Sequence, residues 1–322
     1  MKKIKWGIIG PGNIAHKFAD ALTILQAGQL SAVASRSKEK AESFGEEYGV
    51  SKDKCYGSYE ELAKDKDIDV VYVALPIVFH KEISIMCLRR GKAVLCEKPV
   101  AMNEKEAKEV VKVARDNKVF FMEAMWTRFL PIYEQVISWI NDGLIGEISM
   151  FQADFGISRK LNPEGLKLNK KLGGGALLDI GIYPVSLCHY LFNDVPNKVK
   201  SIAYIGETGV DVQTTVNLGF YDGRVADFCC SLNAVTPNIG QIMGTKGKIT
   251  LPDYWKCENA MLFCDGKEEK VNIPHNCNGY EFEIQEVMNC IKSGKLESDK
   301  MTWNKSIEVM HTVDLIKADW IN

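Results

Sequence analysis

The sequence predicts an α/β domain with a doubly wound parallel sheet, followed by an α+β domain on a large, mainly antiparallel sheet. Three observations predict it. Short apolar runs alternate with helical patterns over the first 120 or so residues, which is the signature of βαβ units. A glycine-rich turn, Gly10-Pro11-Gly12, follows the first apolar run directly. After Glu123 the alternation stops and strand patterns follow one another, as in an antiparallel sheet. The expected division is therefore 1–123 and 124–322.

Lys5 to Ile9 is a buried strand pattern and residues 14–27 a helix. Leu30 to Ser35 is a second strand, and residues 38–48 carry helical spacing. Asp69 to Leu75 (DVVYVAL) is the clearest strand in the chain. A helix over 80–90, a strand over Ala93 to Cys96, a helix over 103–117 and a strand over Val119 to Met122 complete the set. Continuous apolar runs fit strands covered on both faces; these are five, one short of the six of a complete doubly wound domain. In the second half a helix over 130–142 ends at Gly143. Strands are expected over 147–157, 198–206, 212–221, 224–234, 249–251, 260–264 and 269–273. Tyr221-Asp222-Gly223 reads as a hairpin turn between two of them. Helices over 280–292 and 304–319 close the chain.

Composition excludes several function classes. The 322 residues carry 40 Lys+Arg against 42 Asp+Glu, a formal net charge of −2. Nucleic acid as a partner is signalled by a basic excess, which is absent. No stretch holds the roughly 18 uninterrupted apolar residues of a membrane helix. The start, Met1 to Lys5, passes straight into a strand pattern without an apolar leader core. The ten cysteines show no C-x-x-C pair of the kind a structural zinc site uses, and no metal is implied. Reduced cysteines in a cytoplasmic protein are the expectation, most of them as small core side chains.

Gly10-Pro11-Gly12-Asn13-Ile14-Ala15 is G-x-G-x-x-A between a strand and a helix. Gly10 permits the tight turn, Gly12 lets backbone approach a pyrophosphate, and Ala15 lets helix pack on strand. The helix start at Asn13 and Ile14 then offers unpaired N–H groups to phosphate. This is a dinucleotide-binding, Rossmann-type arrangement. An NAD enzyme commonly places Asp or Glu after the second strand; this chain has Ser35-Arg36-Ser37-Lys38. Arginine binds a 2′-phosphate that a carboxylate would repel. NADP is therefore expected, with NAD as the alternative and Arg36 as the deciding residue.

Glu97-Lys98-Pro99 ends a predicted parallel strand, so Lys98 lies at the edge where open α/β sheets bind ligands. Farther on, Gly173-Gly174-Gly175, three glycines that permit close approach of backbone and ligand, precede Ala176 to Pro184. If Asp179 and Tyr183 share a helix, their spacing puts both on one face, although Pro184 would distort it. Tyr183 is a candidate proton donor and acceptor, and a nearby ammonium such as Lys98 would favour its ionised form. On spacing alone a buried aromatic is the simpler reading of Tyr183.

Together, the G-x-G-x-x-A turn, Glu97-Lys98-Pro99 and the Asp179/Tyr183 segment resemble the Gfo/Idh/MocA oxidoreductases over essentially the whole chain. Most members have histidine where this chain has Tyr183. The tyrosine, with Glu123 to Phe129 and Leu177 to Tyr183, is similar to the dimeric dihydrodiol dehydrogenase and D-xylose NADP dehydrogenase subgroup. The resemblance implies Tyr183 as general acid/base, Lys98 as its electrostatic partner and Asp179 as a substrate-orienting residue. Leu75 to His80 matches in part a segment beside the nicotinamide; His80 either borders the cofactor or starts a helix with no special role. Glu97 belongs with the cofactor-side residues. Trp126, Arg128, Phe155, Trp255 and Tyr280 are similar to residues lining the substrate pocket.

The implied chemistry is hydride transfer between nicotinamide and a secondary or hemiacetal alcohol of a sugar or cyclic polyol. A trans-dihydrodiol or dicarbonyl substrate is the alternative. A noncatalytic NADP-binding regulator is the rival from another class, and the presence of both Lys98 and Tyr183 argues against it. The open face of the second sheet must be covered, so a homodimer is expected first and a homotetramer second.

Overall fold

The structure is a computed structural model that describes residues 3–158 and 162–320; Met1 and Lys2 of the expected leaderless start lie outside them. The chain divides into two compact units, Met1–Trp126 with Asn276–Ile307, and Thr127–His275 with Glu308–Asn322.

In the first unit six strands pair in parallel: β1 Ile4–Ile9, β2 Gly28–Ala34, β3 Cys55–Tyr56, β4 Val70–Val73, β5 Ala93–Glu97 and β6 Phe121–Ala124. Their spatial order is β3-β2-β1-β4-β5-β6, with every pairing parallel. The order reverses at β1, so the loops after β1 and β4 flank the crevice where such sheets bind ligands. All four residues of β4 are buried, as expected for a strand covered on both faces. Ser37, Ser58 and Asn103 cap the helices Lys38–Glu47, Tyr59–Lys64 and Glu104–Asn117 by accepting a backbone N–H.

Two of these elements escape the sequence reading. Strand β3 has two residues, too few for any periodicity, and helix Tyr59–Lys64 has six. The division at 1–123 and 124–322 also leaves out a return of the chain. Helix Tyr280–Lys292 packs against helix Asn13–Thr23 of the first unit. The Phe121 N–H donates to the Leu296 carbonyl (3.0 Å) and the Trp303 indole donates to the Phe121 carbonyl (3.0 Å). The returning segment thus satisfies the outer edge of β6, which would otherwise stand open.

The second unit holds eight strands among the described residues: β7 Ile148–Gly156, β8 Lys198–Ile205, β9 Asp211–Gly219, β10 Val225–Ser231, β11 Ile239–Gly244, β12 Gly247–Pro252, β13 Asn259–Cys264 and β14 Lys267–Asn272. Their order is β14-β13-β12-β11-β7-β10-β9-β8. The β7–β10 pair is parallel and the rest antiparallel. Strand β11 is the one the sequence reading passes over, because Ile-Gly-Gln-Ile-Met-Gly alternates weakly.

One sheet face is apolar and buried through Phe151, Phe155, Val216, Leu218, Phe228 and Ile242. The other presents Gln152, Asp227 and Gln241 side by side, along with Ile202 at 81% exposure. The stretch Lys170–Phe192 is long and apolar enough to cross a membrane by length and composition, but it is mostly buried within the protein. All ten cysteines are free thiols, and seven are buried.

Candidate active site

The turn after β1 is shaped as its glycines require. Gly10 has φ +93°, and a Cβ there would lie 2.6 Å from the Ala74 carbonyl oxygen. A Cβ at Gly12 would meet no described atom within 4 Å, so space opens above that backbone. Gly12 precedes helix Asn13–Thr23, whose start has no side-chain cap among the described residues. Gly12 and Asn13 are exposed and Ile14 half-buried. Open space over a glycine, facing uncapped N–H groups, fits a pyrophosphate. Beyond β2, Arg36 and Lys38 are exposed and Ser35 is nearly buried. The Arg36 guanidinium lies beside Tyr59; burial lifts the Tyr59 phenol above its usual range and Arg36 opposes the rise. Ser37 is already used as a helix cap and donates its hydroxyl to Glu39 (2.7 Å).

Lys98 is half-buried between buried neighbours, at the C-terminal end of β5. Its turn is tied at three backbone atoms. The Lys98 N–H donates to Glu97 Oε2 (3.0 Å), and the Val100 N–H donates to Glu123 Oε1 (2.9 Å). The Pro99 carbonyl lies 2.7 Å from His80 Nδ1, whose other ring nitrogen is 2.7 Å from the Leu75 carbonyl. The Tyr72 hydroxyl donates to the second oxygen of Glu97, and Tyr72 stacks on Phe18 at 3.8 Å. Burial pushes the Glu97 carboxyl up, while Tyr72, the Lys98 charge and the Lys98 N–H hold it down. Burial pulls the His80 imidazole down, against the two carbonyls. The structure gives His80 a third role beside the two expected ones: it braces the loop after β4 to the Lys98 turn.

The Tyr183 segment is irregular. Residues Leu177–Gly181 form a π-helical turn, and Ile182–Phe192 continues as an α-helix. Pro184 has no N–H to give the carbonyl four residues back, and its ring crowds that carbonyl; widening the preceding turn relieves both problems. Asp179 therefore sits in the wide turn and Tyr183 in the first turn of the α-helix. Asp211 anchors this start. Its Oδ2 accepts from the Leu177 N–H (2.7 Å) and the Thr214 hydroxyl (3.0 Å). Burial raises the Asp211 carboxyl, opposed by these donors and by Lys317. Asp179 is ion-paired with Lys167.

Among the aromatic residues expected at the substrate, three meet in the second unit. Phe155 stacks on Trp255 at 3.8 Å and lies 5.9 Å from the Tyr183 ring. In the first unit Trp126 stacks on Tyr280 at 4.8 Å, both largely buried. Arg128 differs from the expectation of a substrate contact. It is 4% exposed; its Nε donates to the Ser186 hydroxyl (3.0 Å) and a terminal N–H donates to the Ser186 carbonyl (2.8 Å). It also lies over the Tyr190 ring, so its guanidinium is engaged in holding the Tyr183 helix.

Sequence reasoning missed Tyr72, Glu123, Asp211 and Lys167. Glu123 had a signal, a carboxylate directly after the apolar run Val119 to Met122. The others act through partners 12 to 34 residues away, which no local pattern marks.

Comparison with known proteins identifies the family. Residues 4–125 match the family described as oxidoreductase family, NAD-binding Rossmann fold, and residues 133–250 match the GFO/IDH/MocA C-terminal domain. The trans-1,2-dihydrobenzene-1,2-diol dehydrogenase of Xenopus tropicalis is 39% identical, over 96% of each chain. The Homo sapiens protein of that name is 35% identical over 94% of this chain and 92% of its own. A 3-ketoreductase from Actinomadura kijaniata, solved with NADP and TDP-benzene, superposes with a TM-score of 0.89 at 26% identity, covering 99% of this chain and 98% of that one. An aldose-aldose oxidoreductase from Caulobacter crescentus, complexed with glycerol, shares the fold at a TM-score of 0.92 and 22% identity, with 99% and 98% coverage. With an open glycine turn at a parallel-sheet crevice and relatives matched along nearly its whole length, the chain belongs to the Gfo/Idh/MocA family and is an oxidoreductase acting on CH–OH groups with a nicotinamide cofactor.

Proposed function

We propose that this enzyme is an NADP-dependent dehydrogenase of sugars or cyclic polyols, oxidising a secondary or hemiacetal alcohol with Tyr183 as general acid/base. The observation that carries the reading is the bracing of the Lys98 turn by Glu97, His80 and Glu123. Such buried polar anchoring suits an ammonium held for chemistry better than a solvated surface lysine. Gly10, Gly12, Asn13 and Ile14 hold the pyrophosphate, Arg36 with Lys38 and Ser35 the 2′-phosphate, and Leu75, Glu97 and Lys98 the nicotinamide side. When bound, the nicotinamide supplies the hydride acceptor or donor. Tyr183 takes the hydroxyl proton during oxidation and returns it during reduction. Lys98 stabilises the charge that develops on that oxygen, and Asp179 orients the substrate. Phe155 and Trp255 offer flat apolar surface to the ring, as do Trp126 and Tyr280.

The test is reduced-cofactor absorbance with D-xylose, D-glucose and trans-cyclohexane-1,2-diol. Tyr183→Phe and Lys98→Met, shown folded by circular dichroism, are expected to lower kcat about 10²–10⁴-fold; full kcat in either overturns the mechanism. Arg36→Ala is expected to raise the NADP KM about tenfold or more, the worth of one charge-assisted contact, with little change for NAD. An unchanged NADP preference removes Arg36 from the assignment.

A trans-dihydrodiol substrate is the second reading, supported by the names of relatives at 35–39% identity. Turnover of trans-1,2-dihydrobenzene-1,2-diol in clear preference to both sugars and to trans-cyclohexane-1,2-diol would select it. Exposed Ile202, Tyr204, Val225 and Phe263 support a homodimer through the open sheet face. Light scattering on wild type and Ile202→Asp tests it, with a monomeric wild type as the contrary result.

A further inference from the structure

The glycines before the Tyr183 segment do something other than admit a ligand. A Cβ at Gly174 would lie 2.7 Å from the Lys167 carbonyl oxygen and 2.8 Å from its carbon. The Gly175 N–H donates to that same carbonyl oxygen (2.9 Å). Gly175 has φ +133°, and a Cβ there would lie 2.3 Å from Asp211 Oδ1. The glycine run is therefore packed against the Lys167 backbone and against Asp211, at separations no side chain would permit.

The loop that carries Lys167 is tied by its own backbone bonds. The Gly165 N–H donates to the Asn162 carbonyl, the Asn169 N–H to Gly165, and the Gly174 N–H to Asn169, at 2.9, 2.9 and 3.0 Å. On the other side, the Asp179 N–H donates to the Gly175 carbonyl (3.0 Å). Lys167 and Asp179 are thus both fixed to Gly175, one through each of its backbone polar groups. Their side chains close the arrangement as an ion pair, with Lys167 38% and Asp179 30% exposed. A surface ion pair with free side chains is worth little. This one has both backbones anchored, and it keeps enough exposure for a small molecule to reach it.

We propose that Lys167 is a specificity-determining residue that, with Asp179, recognises the substrate hydroxyl vicinal to the one that reacts. The reacting hydroxyl gives its proton to Tyr183, so Asp179 accepts from the neighbouring hydroxyl and the Lys167 ammonium donates to that same oxygen. A hydroxyl carries one proton and two lone pairs, so a carboxylate and an ammonium held this close can both bind it. A substrate with a single hydroxyl offers nothing to the pair, which stays paired within the protein. The inference rests on the proposed role of Asp179 at the substrate, and it names the substrate class as vicinal diols and the corresponding hydroxyketones.

The experiment measures KM and kcat with NADP for trans-cyclohexane-1,2-diol and for cyclohexanol. Wild type, Lys167→Met, Lys167→Arg, Asp179→Asn and the Lys167→Met/Asp179→Asn double variant are compared, each with a thermal melt and an NADP dissociation constant. Lys167→Met is expected to raise the diol KM about tenfold, the worth of one charge-assisted hydrogen bond. Its kcat and NADP affinity stay near wild type, cyclohexanol is affected little, and Lys167→Arg recovers most of the loss. Adding Lys167→Met to Asp179→Asn is expected to cost little more, because the two act as one unit. An unchanged diol KM, or equal losses for diol and monoalcohol, overturns the inference. Tyr183→Phe separates the two levels of argument. Full kcat in that variant overturns the underlying mechanism, whereas loss of kcat with an unchanged Lys167→Met KM overturns only the role of Lys167.

Discussion

At the end of β5 the backbone is an ordinary strand and turn, and side chains come to hold it. Glu97, His80 and Glu123 tie down Lys98, Pro99 and Val100 one backbone atom each. After Gly173 the backbone itself is unusual, with a glycine run and a π-helical turn, and one carboxylate anchors its start. The first turn is held by buried polar groups, the second by close approach of main chain to main chain. The two should therefore fail differently. The Lys98 turn is sensitive to loss of an acceptor or to a change of protonation, the Tyr183 turn to added volume.

The largest effect is expected at Glu97. Glu97→Ala strips the buried Tyr72 hydroxyl and the Lys98 N–H of their acceptor at once. Two unsatisfied buried donors cost about 2–5 kcal/mol together, read as a lower midpoint in denaturant unfolding. Because Lys98 loses its anchor as well, NADP affinity and kcat should both fall. A stable, fully active Glu97→Ala protein would show that the brace is incidental.

Gly175→Ala is the matching test on the other turn. It places an L side chain at φ +133° with its Cβ 2.3 Å from Asp211 Oδ1, so Asp211 must move and the Leu177 N–H loses a good acceptor. The strain and the weakened bond cost about 2–4 kcal/mol. Here kcat should fall while NADP affinity stays near wild type, since the proposed cofactor residues belong to the first unit. Equal loss of NADP affinity in Glu97→Ala and Gly175→Ala would break the distinction between the turns.

The same contrast explains what could be read from sequence. Val70 to Val73 and Ala93 to Cys96 were legible as strands because a strand covered on both faces is an unbroken apolar run. The glycine turn and Glu97-Lys98-Pro99 were legible because their residues are consecutive. Glu123 and Tyr72 were not assigned roles, since each acts on a residue 23 to 25 positions away. Gly173 to Gly175 were read as room for a ligand. A glycine run signals close approach but not what approaches, and the partners proved to be Lys167 and Asp211. Helix Tyr280–Lys292 was expected correctly as a helix, yet its amphipathic pattern shows which face is buried and not which unit buries it.

An effect of opposite sign, small at pH 5, sharpens the electrostatic half of the comparison. Glu283, on helix Tyr280–Lys292, is fully buried, and neither carboxyl oxygen has a hydrogen-bond partner among the described residues. Burial first, and the nearby Glu97 charge second, push its carboxyl well above the usual range. Glu97 has donors and the Lys98 charge to favour its ionised form and Glu283 has neither, so the proton of this pair belongs on Glu283. The folded protein then keeps a proton that the unfolded chain releases above about pH 4.5. Where the native state binds more protons, stability falls as pH rises. The contribution of Glu283 is therefore fully present below that pH and is lost progressively toward its raised folded value, by up to about 1.4 kcal/mol per pH unit. Glu283→Gln keeps the shape and cannot ionise. Its advantage in unfolding midpoint over wild type should be small at pH 5 and widen toward pH 8, with NADP affinity unchanged. A constant offset across that range would mean that Glu283 is ionised in the folded protein, and that the buried side of the Lys98 turn tolerates a second negative charge.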